Sequence, residues 1–143
     1  MSDAPRCDFV YEAIADIEEV QSLGQSPVGQ RYIVNIRGGE FKGPLLQGKI
    51  LPGGADRQLL RPDGIKELDA LYEMQTDDGV IITVHNQVTI DMPSPEQRYA
   101  RSVVKFRAPS GNYEWLNRRV FVGTLESLKP ARMAVKIRVY LLN

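Results

Sequence analysis

The feature that most constrains this chain is the alternation of apolar and polar residues with a period of two. Residues 32–36, 68–74 and 133–141 have an apolar or aromatic side chain at every second position, and residues 80–90 are rich in β-branched side chains. Successive side chains of a β-strand point to opposite faces of its sheet. The period therefore predicts half-buried strands along most of the chain.

Turn-forming residues separate these segments, most clearly at Asp77-Asp78-Gly79, where glycine accepts a positive φ and aspartate tolerates it. Residues 9–17 fit either a helix or a strand, and the strand is favoured because every later segment is a strand. About eight antiparallel strands in sequential order can close into an up-and-down barrel, which removes exposed edges. We therefore expect an all-β chain, with residues 1–143 forming one barrel domain that holds packed side chains or one small ligand.

Composition excludes several classes of function. The 18 Lys and Arg residues balance 18 Asp and Glu residues, which argues against a nucleic-acid partner. One cysteine and one histidine exclude a disulfide framework and multi-His metal sites, so we expect neither metal nor cofactor. No signal peptide and no apolar stretch of about 20 residues is visible, which favours a cytoplasmic protein without a membrane partner.

Two motifs carry a resemblance to a known family. They are Pro52-Gly53-Gly54-Ala55-Asp56 and Tyr113-Glu114-Trp115-Leu116-Asn117. Together with Gly38-Gly39-Glu40-Phe41-Lys42-Gly43-Pro44, Asp77-Asp78-Gly79 and Phe121-Val122-Gly123-Thr124, in this order and spacing, they resemble the proteins with domain of unknown function 3237, also called uncharacterised protein family 0311. The resemblance implies a single β-barrel domain, lipocalin-like in general shape, and supplies no established activity.

Four residues are candidates for chemistry, and each also has a structural interpretation. The Gly-rich motif is a bend that could aim Asp56 into the barrel mouth. Asp69 is catalytic if its phase points inward, where Arg101, Arg118 or Arg119 could pair with it, and is solvated or ion-paired otherwise. His85 is the side chain whose ordinary pKa lies near neutrality, although a lone histidine is more often structural.

Four further residues are candidates for ligand binding. Tyr113, Trp115 and Asn117 share one face if their segment is a strand, and they would form an aromatic wall ending in an amide. Tyr72, on an alternating segment, joins this set. The structural alternative is a core tryptophan whose neighbour Asn117 satisfies a buried backbone group.

These residues predict one barrel mouth that gathers Asp56, Asp69, Arg101, Trp115 and Asn117, with Tyr113 and His85 as secondary members. The leading function is a barrel that binds a small organic molecule. The alternative is a cofactor-independent lyase, isomerase or cyclase acting on a small carbonyl or aromatic metabolite, since positioned acids and bases suffice for that chemistry. A homo-oligomer is compatible with either function.

Overall fold

A computed structural model describes residues 3–143, so the first two residues of the predicted domain lie outside the described part. Within it, no helix is long and apolar enough to cross a membrane. A 3₁₀ helix spans Glu114–Arg118. The strands of residues 3–143 are β1 (Cys7–Ile17), β2 (Gln21–Ser26), β3 (Gly29–Lys42), β4 (Gln47–Ile50), β5 (Ala55–Leu60), β6 (Lys66–Thr76), β7 (Ile81–Ser94), β8 (Gln97–Arg107), β9 (Val120–Ser127) and β10 (Ala134–Leu142).

The sheet closes on itself as an eight-stranded antiparallel barrel. The seam is β1, which pairs with β10 on one edge and with β3 on the other. β4 and β5 occupy successive parts of one position between β3 and β6. β2 is an addition that pairs with the first part of β3. The predicted all-β, up-and-down architecture is therefore confirmed.

Burial follows the predicted alternation, which fixes the face that each strand turns inward. On β6, Leu68, Tyr72 and Met74 are buried, whereas Asp69 and Leu71 are exposed. β1 buries alternate residues in the same way, so the strand interpretation of residues 9–17 is confirmed. The interior is thus built by the apolar phase of each strand.

The barrel has two unlike ends. The closed end carries the turn at residues 76–80 and the loop at residues 108–119. The open end carries the turns at residues 61–65 and 94–97. At the closed end the predicted hairpin turn is present: the Gly79 N–H donates to the Thr76 carbonyl oxygen at 2.9 Å, and Gly79 has a φ of 91°.

The 3₁₀ helix plugs the closed end. Leu116 is 1% exposed and belongs to the main core. The ring of Phe121 lies 6.0 Å from that of Trp115 and 4.9 Å from that of Phe106, centroid to centroid. These apolar side chains fill the closed end of the barrel.

Residues 113–117 do not form the strand on which the predicted aromatic wall depends. The Asn117 side chain occupies both backbone groups of Ala108: its Oδ1 accepts from the Ala108 N–H and its Nδ2 donates to the Ala108 carbonyl, each at 2.8 Å. Across the same end, the Tyr113 hydroxyl donates to Asp78 Oδ1 at 2.9 Å. These contacts fold the segment over the barrel instead of extending it.

Candidate functional site

An apolar cavity lies inside the barrel, in the half nearer the open end. Its volume is about 70 Å³, enough for several water molecules, since one water needs about 10–15 Å³ by this measure. The lining is aliphatic except for three polar residues, a mixture typical of small-molecule sites. It consists of Ala15, Ile17, Val34, Ile36, Asp56, Gln58, Leu68, Ala70, Asn86, Val88, Leu125, Val135 and Ile137.

The outer surface carries a larger groove, of about 680 Å³, beside Phe9, Lys42 and Tyr140. Phe9 is 45% exposed, and the groove opens broadly to solvent. Small-molecule sites bury most of the ligand surface. The smaller interior cavity is therefore the better candidate site.

Asp56 reaches the cavity because the chain steps sharply between β4 and β5. Gly53 has a φ of 110°, which glycine adopts without strain. Gly54 packs against β6 so closely that a Cβ there would lie 2.4 Å from the Cβ of Tyr72. Beyond this step, Asp56 lies opposite Ala70 on the inward phase of β5.

The Asp56 carboxyl group is held by hydrogen bonds but poorly solvated. The backbone N–H of Asp69 donates to Oδ1 at 2.9 Å, and Nε2 of Gln58 donates to Oδ2 at 2.8 Å. Burial raises the pKa of Asp56 to about 6, although both hydrogen bonds and the positive charge of Lys66 act to lower it. A carboxyl group with this pKa exists in both protonation states near neutral pH, as a general acid or base must.

Two buried polar atoms inside the barrel, Asn86 Oδ1 and Ser102 Oγ, have no hydrogen-bond partner within residues 3–143. Asn86 is 2% exposed and lines the cavity, and Ser102 pairs with the lining residue Val88. A buried polar atom without a partner costs about 1–3 kcal/mol. These atoms therefore favour water or a bound molecule that would satisfy them.

Tyr72 lies one inward position beyond Ala70, towards the closed end. Burial raises the pKa of the Tyr72 hydroxyl; the interaction with Tyr11 opposes this rise, and the charge of Asp56 adds to it. Burial likewise raises the pKa of Tyr11 well above its ordinary value. Both phenols keep their protons at neutral pH, and Tyr72 lies within electrostatic reach of Asp56.

Asp69 and His85 lie on the outer surface, so their predicted place in the barrel mouth is wrong. Leu68 and Ala70 take the inward phase of β6, which turns Asp69 outward, and His85 faces outward on β7 for the same reason. The two side chains contact each other, with 2.6 Å between His85 Nε2 and Asp69 Oδ1, and are 38% and 53% exposed. This is the solvated arrangement that the sequence left open for Asp69.

Arg101 also lies outside the barrel, which corrects its predicted pairing with Asp69. It stands between buried Ala100 and Ser102 on β8, so its phase is outward. Its guanidinium lies 5.6 Å from the ring centroid of Tyr99, and its Nη1 donates to the Ala100 carbonyl at 2.9 Å.

The predicted aromatic wall belongs to the closed end instead of the cavity. Tyr113, Trp115 and Asn117 flank or form the 3₁₀ helix, and none of them is among the residues that line the cavity. Asn117 satisfies backbone groups, as the structural alternative holds. The single mouth that the sequence predicts is therefore wrong: of its proposed members, the structure brings Asp56 to the cavity.

Sequence reasoning missed Gln58 and Asn86. Both lie in phase with inward apolar residues, Asn86 between Val84 and Val88 on β7. A polar residue on the apolar phase of a strand is the signal that could have found them.

Within residues 3–143, no three His, Cys, Asp or Glu side chains come together as a metal site would require. The absence of a metal and of a cofactor stays a prediction.

Comparison with known proteins places this fold among relatives. A family model described as "Protein of unknown function (DUF3237)" matches residues 5–142. A UPF0311 protein of Rhodopseudomonas palustris is 36% identical over 129 residues, which cover 81% of this chain and 84% of the relative. The crystal structure of a β-barrel like protein from Acinetobacter baumannii superposes with a TM-score of 0.90 at 29% identity, covering 100% of this chain and 99% of that one.

One more distant relative has a named activity. A protein of Penicillium herquei called "hydroalkoxylation enzyme" is 27% identical over 124 residues, which cover 87% of this chain and 76% of the relative.

Proposed function

The chain belongs to the DUF3237 family, whose proteins are of unknown function, and from this premise we propose that its barrel binds a small organic molecule in the interior cavity. The observation that carries the proposal is an aliphatic cavity lined by the buried residue Asn86, whose amide oxygen has no hydrogen-bond partner within residues 3–143. If side chains alone filled this cavity, the amide oxygen would stay buried without a partner, which is unfavourable.

The cavity wall offers a test with an internal control, because Ala70 and Leu71 are neighbours on opposite faces of β6. Ala70 lines the cavity, whereas Leu71 is 56% exposed on the outside. Ala70→Leu adds three carbon atoms to the cavity wall and should occupy much of its volume. Leu71→Ala removes the same number of carbon atoms without touching the cavity.

The measurement is an NMR titration with small alcohols, ketones, acids and amines, read from the backbone amide signals of cavity-lining residues. We expect saturable shifts in the parent and in Leu71→Ala, and their loss in Ala70→Leu. Circular dichroism checks that each variant is folded. Saturable binding that survives in folded Ala70→Leu, or shifts confined to outward residues, would contradict the proposal.

A second function is supported by the Asp56 carboxyl group, whose pKa of about 6 suits a proton-transfer group. In this version the protein is a cofactor-independent lyase, isomerase or cyclase. Hydroalkoxylation, the activity named for the Penicillium herquei relative, adds an O–H group across a carbon–carbon double bond and belongs to this class. Asp56 would take a proton from one atom of the bound molecule and return it to another.

The enzymatic function is tested by deuterium uptake from D₂O into small ketones and unsaturated alcohols, followed by NMR. We expect uptake that depends on the parent protein, is lost in Asp56→Asn and persists in Glu96→Gln, which changes an exposed residue outside the cavity. Uptake that persists in Asp56→Asn would exclude Asp56 as the proton-transfer group.

A further inference from the structure

Among the described residues, the ionisable side chains that line the cavity are acidic and not basic. Among the described residues that line it there is one carboxyl group and no lysine, arginine or histidine. Lys66 acts on Asp56 through its positive charge, yet it does not line the cavity. A bound molecule would therefore meet a negative group without a positive group beside it.

The hydrogen-bonding groups of the cavity suit a ligand that can both donate and accept. Each Asp56 oxygen accepts one hydrogen bond and, as a carboxylate oxygen, can accept another. Asn86 Oδ1 is buried and accepts none within the described chain, and the amide nitrogen of the same side chain is a donor. A ligand hydroxyl group would donate to Asp56 or Asn86 and accept from the Asn86 amide.

Charge decides against the two kinds of ionised ligand. A carboxylate or phosphate would face the Asp56 carboxylate in an apolar surrounding, where like charges repel more strongly than in water. An ammonium group would gain from Asp56 but would lose its hydration in a cavity that is otherwise aliphatic.

We propose that the cavity selects uncharged organic molecules with a hydroxyl donor and rejects their carboxylate counterparts, with Asp56 and Asn86 as the selecting residues. This inference rests on the proposed binding function and names its ligand class. The negative charge of Asp56 repels anions, and the amide oxygen of Asn86 accepts a hydrogen bond from the ligand hydroxyl group.

The test uses three probes of the same ring size: cyclopentanol, cyclopentanecarboxylate and cyclopentylamine in its ammonium form. Each is titrated at pH 7.5 into the full-length protein, and binding is read from the amide signals of Ala70 and Asn86. We expect the alcohol to bind at least about tenfold more tightly than the carboxylate, since one unfavourable charge contact of about 1.4 kcal/mol gives that ratio.

Two variants assign the selection to its residues. Asp56→Asn keeps the size of the side chain and removes the charge, so the preference for the alcohol over the carboxylate should fall to about threefold or less. Asn86→Leu removes the acceptor and should weaken the alcohol more than the carboxylate. Glu96→Gln, which changes an exposed carboxylate outside the cavity, should leave the preference unchanged.

The outcomes separate this inference from the binding function. Equal binding of alcohol and carboxylate, or tightest binding of the ammonium probe, overturns the selection while the binding function stands. An alcohol preference that is unchanged in folded Asp56→Asn overturns the assignment to Asp56. If none of the probes shifts the cavity signals, the selection and the binding function fail together. The parent protein alone decides between the ligand classes if a variant does not fold.

Discussion

The closed and open ends of this barrel use polar side chains in opposite ways. At the closed end, polar side chains form hydrogen bonds within the protein: Asn117 bonds to the backbone of Ala108, and Tyr113 bonds to Asp78. Towards the open end, Asn86 is buried with an oxygen atom that accepts nothing from the described chain. The difference teaches that the satisfied amide helps to seal the barrel, whereas the unsatisfied amide lies at the cavity for which we propose a ligand.

This division predicts that stability and binding can be changed separately. Leu116→Ala should have the largest effect on stability, because it empties a fully buried position of the closed end. We expect the free energy of unfolding to fall by about 2–5 kcal/mol, measured by urea denaturation. Binding of cyclopentanol should persist wherever the variant is folded.

The matched control is Val120→Ala, at the same end but 60% exposed, which should change stability little. The division between the ends would be broken if folded Leu116→Ala lost binding.

The free energy of unfolding should depend on pH through Asp56, which lines the cavity near the open end. The pKa of Asp56 is raised from 3.8 to about 6 in the folded protein, so its stabilising contribution is complete below about pH 4 and is lost as the pH rises through about 6. Relative to Asp56→Asn, the parent should therefore lose unfolding free energy between these values, by at most about 3 kcal/mol for two pKa units.

Urea denaturation at pH 4 and pH 7 measures this change, with exposed Glu96→Gln as the control. A difference between parent and Asp56→Asn that is constant, or that grows in favour of the parent with rising pH, would show that Asp56 is not buried as described.

Asn117→Ala sharpens the comparison at the closed end. The variant loses both hydrogen bonds to Ala108, and we expect a loss of about 1–2 kcal/mol in unfolding free energy, because each bond contributes about 0.5–1.5 kcal/mol. Asn112→Ala, in the same exposed loop, is the control. If binding weakened while stability stayed constant, Asn117 would be a ligand-binding residue after all.

Gly79→Val should give the smallest effect. A Cβ at this position meets nothing within 4 Å, so the cost comes from the φ of 91° alone, and we expect roughly 1 kcal/mol. Thermal unfolding should show a decrease of a few degrees, and Gly79→Asn should lose less because asparagine tolerates this conformation better. Equal thermal stability of Gly79→Val and the parent would contradict the turn.

The barrel could be predicted from sequence because its rule is local. The phase of Leu68, Tyr72 and Met74 on β6 is visible in the residues themselves, and neighbouring strands repeat it. Because Asp69 lies one position out of this phase, its side chain points outward. Sequence reasoning left this phase open and gave more weight to the chemistry of the side chain than to its position.

The closed end could not be predicted in this way. Residues 113–117 fold as a 3₁₀ helix partly because Asn117 bonds Ala108, nine positions earlier. The alternation of residues within the segment gives no information about that contact. The cavity has a similar cause: whether Asn86 has a partner depends on side chains from several strands, and no spacing along one strand reveals it.

The seam of the barrel has a consequence for how the chain is made. β1 completes its pairing with β10, and Cys7 lies opposite Leu142. At a synthesis rate of about 5–20 residues per second, one edge of β1 waits on the order of ten seconds for its neighbour. During that interval the edge can pair with another chain. The strand that closes the finished barrel is therefore the one most exposed to mispairing during its synthesis.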